Sequence, residues 1–484
     1  MGSAMELDAT VLMPARRVAE PGPDAALPSH LHPALLTLHR LLQESPGLGG
    51  TGPRDAAECL VARLDLALGA GVNAVIHHAD FQAMEAAWRG LHFLVRRTST
   101  DALLKIRIID IGKRELARTL RKFRGAAWDQ SPVFRKIYEE EYGQFGGEPF
   151  GILVGDYGFN HHPEDVQLLQ DMARIAAAAH APFLTGAAPS VMGMESWREL
   201  ANPRDLTRIF QTPEYAAWRS MRTDEDTRYI GLCMPHLLAR LPYGTGTDPQ
   251  DGWAFEEEAD GPDAKGFLWI NAAFALAANI TRAFSLYGWC TRIRGIETGG
   301  LVEGLAAHRF SSADGDMDRR CITEVSLSER REAELSRSGF IPLLHRKNTG
   351  CAAFISAQSL QQPATYADPA ASANAVLSAR LPYLLASCRF AQHLKCMVRD
   401  KVGSTMSKAQ ITDWLQSWLL DYIDGSPSTS SEEWKAAHPL AEADVALEEK
   451  EGTPGAYEAR FMLRPHYQLE GMGVALRLVS RLTQ

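Results

Sequence analysis

Residues 150 to 185 constrain the fold most. Phe150 to Val154 is an apolar run of strand length, Val166 to His180 (VQLLQDMARIAAAAH) has helical periodicity, and Ala181 to Thr185 returns to a strand. A strand, a helix and a strand in succession predict an α/β domain. The segments upstream extend the pattern. Ala56 to Leu68 reads as a helix. Asp80 to Thr98 reads as another, with Asp80 as N-cap and Phe81, Met84, Trp88, Leu91 and Leu94 along one stripe. Leu103 to Ile111 (LLKIRIIDI) alternates apolar and polar positions, as a strand does. Helices are expected at Lys113 to Arg124, Ser131 to Tyr142 and Phe267 to Tyr287. Trp197 to Tyr229 has the texture of helix and loop. Cys321 to Leu327 reads as a strand, followed by the charged helix Ser328 to Arg337.

A chain of 484 residues is long enough for more than one domain. The boundary is expected in the linker-like stretch from Ser359 to Ala371, which contains SLQQPATYADPA. Beyond it come a long helix, Ala373 to Val402, a second helix, Lys408 to Ile423, and two closing strands, Leu440 to Glu449 and Tyr457 to Leu469. The first 54 residues are rich in Pro, Gly and Ala. They hold one amphipathic candidate, Pro33 to Glu44 (PALLTLHRLLQE), with Leu35, Leu38, Leu41 and Leu42 at helical spacing. This is either a helix docked on its own domain or a peptide that a partner reads as a helix in a groove.

A net charge of -9 argues against a nucleic-acid binder, which needs a basic surface. No apolar run reaches the length of a membrane span. The early prolines Pro14, Pro21 and Pro23 do not suit a secretory leader. Seven scattered cysteines without a C-x-x-C pair suggest reduced thiols in a cytoplasmic protein.

The stretch from Tyr138 to Gly158, YEEEYGQFGGEPFGILVGDYG, invites a catalytic reading, with His161 and His162 just beyond it. The spacing opposes this. Glu139, Glu140 and Glu141 are consecutive on a helix and fan out around it, so they cannot all reach one metal ion. The glycines lack the P-loop pattern and surround an acidic Glu148. There is no G-x-S-x-G elbow, and Cys290 and Cys321 read better as buried, inert thiols than as nucleophiles. No catalytic residue, cofactor site or metal site is assigned. A hydrolase or transferase using the Glu139 to His162 region is the competing hypothesis from another class.

Two features point to assembly. On the helix Ala373 to Val402, Phe390, Leu394, Met397 and Val398 form an apolar stripe, while Arg389, Gln392, His393, Lys395 and Arg399 lie on the other face. That face either docks an acidic partner or is simply solvated. In EARFMLRPHYQLEG, Glu458 to Gly471, the alternating Phe461, Met462, Leu463 and Arg464 run into Pro465. A proline there points to an edge strand or bulge, open to another chain, or to an ordinary terminal strand.

Long, ordered stretches from about Asn73 to the end carry a family resemblance. They include HHADFQAMEAAWRGLHFLV, DQSPVFRKIYEEEYGQFGGEPFGILVGDY, AAAAHAPFLTGAAPS, ANAVLSARLPYLLASCRFAQHLKCMVRDKVGS and RPHYQLEGMGVALRLVSRL. The sequence resembles the large sheath subunit of the bacterial type VI secretion system, the TssC or VipB family. The resemblance implies a mixed α+β protein with no catalysis and no cofactor. It implies a helical N-terminal arm (1–54), a larger α/β middle domain (55–362) and an inner C-terminal domain like that of phage tail sheaths (363–484). It further implies pairing with a small sheath subunit, helical stacking with copies of itself around an Hcp inner tube, and contact with a baseplate. A ClpV-type ATPase would disassemble the contracted sheath by gripping an N-terminal helix, for which Leu35, Leu38, Leu41 and Leu42 are the candidates. Phe461, Met462, Leu463 and Arg464 are the candidate interchain strand. Arg389, His393, Lys395 and Arg399 are the candidate tube contacts. Neither nucleic acid nor membrane insertion is expected. The alternative within the same machine is a non-polymerising adaptor at the baseplate.

Overall fold

A computed structural model describes residues 53–484 except 145, 203–204, 251–252, 254, 260–265, 308, 312–316, 320, 402–405, 427–428, 450–456, 467–475 and 482–484. The candidate helix Pro33 to Glu44 lies outside the described residues.

Two helices come first. α1 (Pro53–Ile76) runs further than the periodicity of Ala56 to Leu68 indicates. α2 (Ala79–Arg97) is capped by His78, whose ring nitrogen accepts the N–H of Asp80 at 3.3 Å. Asp80 is therefore not the cap but a first-turn residue, where its charge suits the helix dipole. α3 (Lys113–Lys122) follows, then a set of short helical turns between Gly125 and Tyr142.

The strand–helix–strand unit is β1 (Leu153–Phe159), α4 (Pro163–Ala179) and β2 (Phe183–Ala187). β1 begins three residues later than the apolar run at Phe150. After it come β3 (Ile230–Met234), α5 (Ala272–Tyr287), β4 (Leu301–Val302), α6 (Glu329–Arg337), β5 (Phe340–His345) and β6 (Ala352–Phe354). The six strands form one sheet in the order β1-β2-β3-β5-β6-β4. The first four are parallel, and the last two add antiparallel.

Successive residues of a strand face opposite sides, and both sides of this sheet are covered. Phe183, Leu232 and Phe340 enter a core with Leu169, Ile175, Trp197 and Trp218. Leu184, Cys233 and Ile341 enter the opposite one with Leu276, Ile280, Leu384 and Leu385. A strand buried on both faces reads as a continuous apolar run without alternation, as IGLCM and FIPLLH do at β3 and β5. α2 lies close on α5 at Gly90, where a Cβ would stand 2.3 Å from the Phe274 ring.

The C-terminal part holds α7 (Pro369–Ser378), α8 (Leu381–Lys401), α9 (Lys408–Leu420), β7 (Leu440–Glu449), β8 (Tyr457–Pro465) and β9 (Leu476–Arg481). The last three strands form an antiparallel sheet in that order. Beneath it, Phe390 and Leu394 of α8 pack with Trp289, Leu415, Leu419, Val445, Phe461 and Leu463.

Three expectations fail. The helix from Ala373 to Val402 is two helices, interrupted at Ala379 and Arg380. Pro382 has no N–H to give to the carbonyl of Ser378, so a single helix cannot run through. Cys321 to Leu327 is not a strand, and only Thr323 bridges Leu237. Leu103 to Ile111 has no regular secondary structure, starts in a turn held by the Asp101 carboxylate, and pairs with no strand among the described residues.

Candidate assembly interface

The acidic, glycine-rich stretch is a joint between segments. Glu139 and Glu140 are exposed, whereas Glu141 is buried. Glu141 accepts Arg107 Nη1 with one carboxylate oxygen and the N–H of Glu148 at 2.7 Å with the other. A Cβ at Gly147 would lie 2.2 Å from the Glu141 carbonyl oxygen, so the loop can close only on glycine. Tyr142 donates to the Ala179 carbonyl at 2.8 Å, and Phe134, Tyr138 and Tyr142 stack in series with centroids 4.9 and 4.7 Å apart. His161 stacks on Tyr215 at 4.2 Å and meets the Ser190 carbonyl at 3.1 Å. Among the described residues, no three His, Cys, Asp or Glu side chains converge as metal ligands. Burial pushes the Cys290 thiol up to about 12, away from the nucleophilic thiolate.

The basic residues of α8 make contacts inside the chain. Arg389 lies over the Phe284 ring at 5.8 Å and donates to Gln392 at 3.1 Å. His393 sits between Trp289 and Trp418, centroids 6.4 and 5.8 Å away. Burial and the nearby Arg389 charge lower its pKa to about 4. Lys395 lies 5.5 Å from the Tyr138 ring and 5.3 Å from the Tyr142 ring, and burial lowers its pKa. Arg399 Nη1 donates to the carbonyls of Tyr142 and Gln144 at 3.2 and 3.0 Å. Helical periodicity distinguishes an apolar stripe from a polar one, but it cannot show that a second domain covers the polar stripe.

The four residues proposed as an interchain strand, Phe461, Met462, Leu463 and Arg464, belong to β8, the middle strand. They pair with Leu478, Arg477 and Leu476 of β9 on one side and with β7 on the other. Pro465 ends β8 opposite Leu440, where the register shifts between Leu440 and Glu442, so of the two readings it marks an irregularity in the pairing and not an edge. The outer positions of this sheet belong to β7 and β9.

The large sheet has an open edge at β1. The N–H of Leu153 donates to Pro182, and the carbonyl of Phe159 accepts from Ala188. The register of β1 on β2 shifts between Val154 and Gly158, and among the described residues no strand pairs the other side of β1. The irregular segment Leu103 to Ile111 lines one cavity together with residues of β1. Side chains tie it at both ends. Lys105 Nζ meets Glu148 at 2.5 Å, and Arg107 reaches Glu141. At the other end Tyr157 Oη donates to the Ile111 carbonyl at 2.7 Å, and Lys113 Nζ donates to the Gly158 carbonyl at 2.6 Å. Among the described residues, no hydrogen bond joins the backbone of 105–110 to the rest of the chain. Between segment and strand lies a groove of about 1160 Å³. Trp88 and Leu91 of α2, Ile106 and Ile108 of the segment, and Phe274 and Phe284 of α5 help to line it.

Two ion-pair clusters lock the rest of this face. Arg240 is buried and bonds Glu257 at 2.5 Å and Glu85 of α2 at 2.8 Å. His236 Nδ1 meets Glu324 at 2.7 Å. Burial alone would lower its pKa, but the Glu324 bond and charge outweigh this and raise it. Sequence reasoning passed over Arg240 and Arg222 and saw Gln392 only as part of a polar helix face, because each is paired with residues far away in the chain.

The sequence comparisons agree on one class. Residues 58–361 match VipB, described as the EvpB/VC_A0108 tail sheath N-terminal domain. Residues 370–482 match the EvpB/VC_A0108 tail sheath gpW/gp25-like domain. The Type VI secretion system sheath protein TssC1 of Pseudomonas aeruginosa is 60% identical over 449 residues, 93% of this chain and 90% of that protein. Among solved structures, the anti-feeding prophage baseplate gives a TM-score of 0.35 at 10% identity, over 79% of this chain and 81% of that one. The sheath tail protein of Desulfitobacterium hafniense gives 0.29 at 8% identity, over 65% and 60%. At such scores these two likenesses carry no argument. The matched domains define a tail sheath protein of mixed α+β fold with a gpW/gp25-like C-terminal domain. The chain belongs to the VipB/EvpB family of type VI secretion sheath proteins. Among the described residues, no helix is long and apolar enough to cross a membrane.

Proposed function

We propose that this chain is the large subunit of a contractile sheath in the bacterial cytoplasm. It pairs with a small sheath subunit, and the pairs stack helically with one another around an Hcp inner tube, seated on a baseplate. Contraction of the stack drives the tube, and no catalysis or cofactor in this chain is required. The observation that carries this reading is the 60% identity to a sheath protein across 93% of the chain. The geometry supports it. The charged clusters suspected of chemistry act as internal joints, while two sheets keep outer edges that another chain can extend. In the C-terminal sheet, interchain pairing falls to β7 and β9. Phe461 to Arg464 take part only where β9 leaves β8 and a strand of a neighbouring subunit replaces it. Leu35, Leu38, Leu41 and Leu42 remain the proposed grip for a ClpV-type ATPase.

Negative-stain electron microscopy of this chain co-expressed with its small subunit tests the reading. Hollow tubes with a ridged wall are expected. Discrete particles that never polymerise would instead make the protein an adaptor at the baseplate.

A further inference from the structure

We propose that the exposed apolar stripe of α1 is covered by the chain's own segment Pro33 to Glu44, packed antiparallel on it as the first half of a helical hairpin. The docking follows from this chain's residues and does not depend on the sheath reading.

α1 is anchored toward its C-terminal end. The side chain of Asn73 donates to the Glu256 carbonyl at 3.2 Å and accepts the N–H of Glu258 at 3.1 Å, and Ile76 is buried. From Glu58 to Val72 none of the described side chains is buried. Yet Val61, Leu64, Leu68 and Val75 are 52%, 44%, 59% and 56% exposed. At about 100° per residue these four fall in one narrow stripe. Its centre lies about 90° round the helix from Ile76 and about 150° from Asn73, so the anchored face does not cover it. Apolar residues at i, i+3, i+7 and i+14 on a surface helix make a packing face for another helix.

The segment upstream has the matching face. Leu35, Leu38 and Leu42 stand at i, i+3 and i+7, the spacing of Val61, Leu64 and Leu68. Each triplet covers about 10 Å of helix. Run antiparallel, Leu42 meets Val61 and Leu35 meets Leu68, with Leu38 against Leu64 between them. The connection fits as well. Residues 45–52, SPGLGGTG, carry the breakers Pro46 and Gly47 and end where α1 begins. Such a stretch reaches about 26 Å when extended. That is enough to cross the roughly 8–10 Å between packed helix axes and to return along the first turns of α1 to Val61. So short a tether also gives the segment a high effective concentration at the stripe, which favours it over a separate chain with the same face. Leu35, Leu38 and Leu42 are among the residues proposed as the ATPase grip, so α1 and the ATPase compete for them; this consequence alone rests on the sheath reading.

The test is amide hydrogen exchange of the full chain, alone and co-purified with its small subunit. It compares the unmodified chain with Leu38→Asp, with Leu66→Asp and with the double variant Leu64→Asp and Leu68→Asp. A helix as short as Pro33 to Glu44 is marginal by itself in water, so protection there reports docking. Amides 37–44 are expected to exchange at least about tenfold more slowly than in an unstructured peptide, in both samples and at every chain concentration. Leu38→Asp and the double variant should each abolish that protection. Leu66 is 75% exposed on the opposite side of α1, so Leu66→Asp should leave it in place. The amides of α1 report in the same spectra whether the double variant keeps its helix, and Leu38→Asp leaves α1 itself unaltered. Free exchange at 37–44 overturns the hairpin, as does protection that survives both Leu38→Asp and the double variant. Protection that rises with chain concentration assigns the stripe to a second copy, and protection found only with the small subunit assigns it to that partner; either result overturns the proposal. All of these outcomes leave the sheath reading intact, because tube formation is a separate measurement.

Discussion

The side-chain amide of Gln392 donates to the carbonyl oxygen of Phe150 at 2.6 Å, across 242 residues of chain. It reaches the His180 carbonyl at 2.8 Å as well. Gln392 is 1% exposed and sits on α8, the helix that also carries the core of the C-terminal sheet. One side chain thus satisfies the chain entering β1 and the chain leaving α4, and binds both to α8. The large sheet and the C-terminal part share a helix.

Gln392→Leu keeps the volume and removes the donor. Two buried carbonyls then lose their partner, at about 1–3 kcal/mol for the site. The expected result is a lower urea midpoint with an unchanged slope, and faster amide exchange near Phe150 and His180. An unchanged midpoint would mean that water replaces the amide.

Arg399→Ala tests whether the basic face of α8 acts inside the chain. Its guanidinium satisfies the carbonyls of Tyr142 and Gln144, so its loss should loosen residues 141–148 and cost about 1–2 kcal/mol. If Arg399 instead faced a partner, stability would hold and only assembly would suffer. Chemical denaturation of the isolated chain separates the two.

Arg240→Met should be the most damaging of these changes. It strips the buried Glu257 of its guanidinium partner, leaving the His77 ring at 3.3 Å, while Glu85 keeps Arg89 at 2.6 Å. Breaking such a pair on one side costs roughly 3–5 kcal/mol. The double variant Arg240→Met with Glu257→Gln should recover part of that loss in the same melt, because the stranded charge is gone.

The α/β class was legible because α4 and its flanking strands have local signatures. Glu141 shows how far spacing alone reached. Three consecutive glutamates do fan out, with Glu139 and Glu140 in solvent, but that Glu141 is the buried one depends on Arg107 and the Glu148 amide. β3 and β5 were passed over because strands buried on both faces lack alternation. Leu103 to Ile111 misled in the opposite way. It has the alternation, but alternation reports a half-buried environment and says nothing about which chain completes it. The intrachain cover of the basic stripe of α8 was not legible either, since Tyr138 and Tyr142 come from one distant segment and Trp418 from another.

Acid should weaken the C-terminal core through His393. Trp289 and Trp418 flank its ring, and Arg389 is the charged neighbour. Burial lowers its pKa to about 4, below the roughly 6.5 of an exposed imidazole. Between those values the unfolded chain binds the proton and the folded chain does not, so stability falls as pH falls. The contribution is complete above about pH 6.5, declines toward pH 4 and is exhausted below it. At about 1.4 kcal/mol for each pH step, the loss comes to about 3 kcal/mol. His393→Phe retains an aromatic ring among the tryptophans and removes the proton site. Urea midpoints measured from pH 7 to 4 should therefore decline less steeply in the variant. A residual slope is expected, because His180, held near 3 by burial and by Lys395, titrates through the same window. Parallel slopes in the two proteins would show that His393 already takes its proton in the folded state.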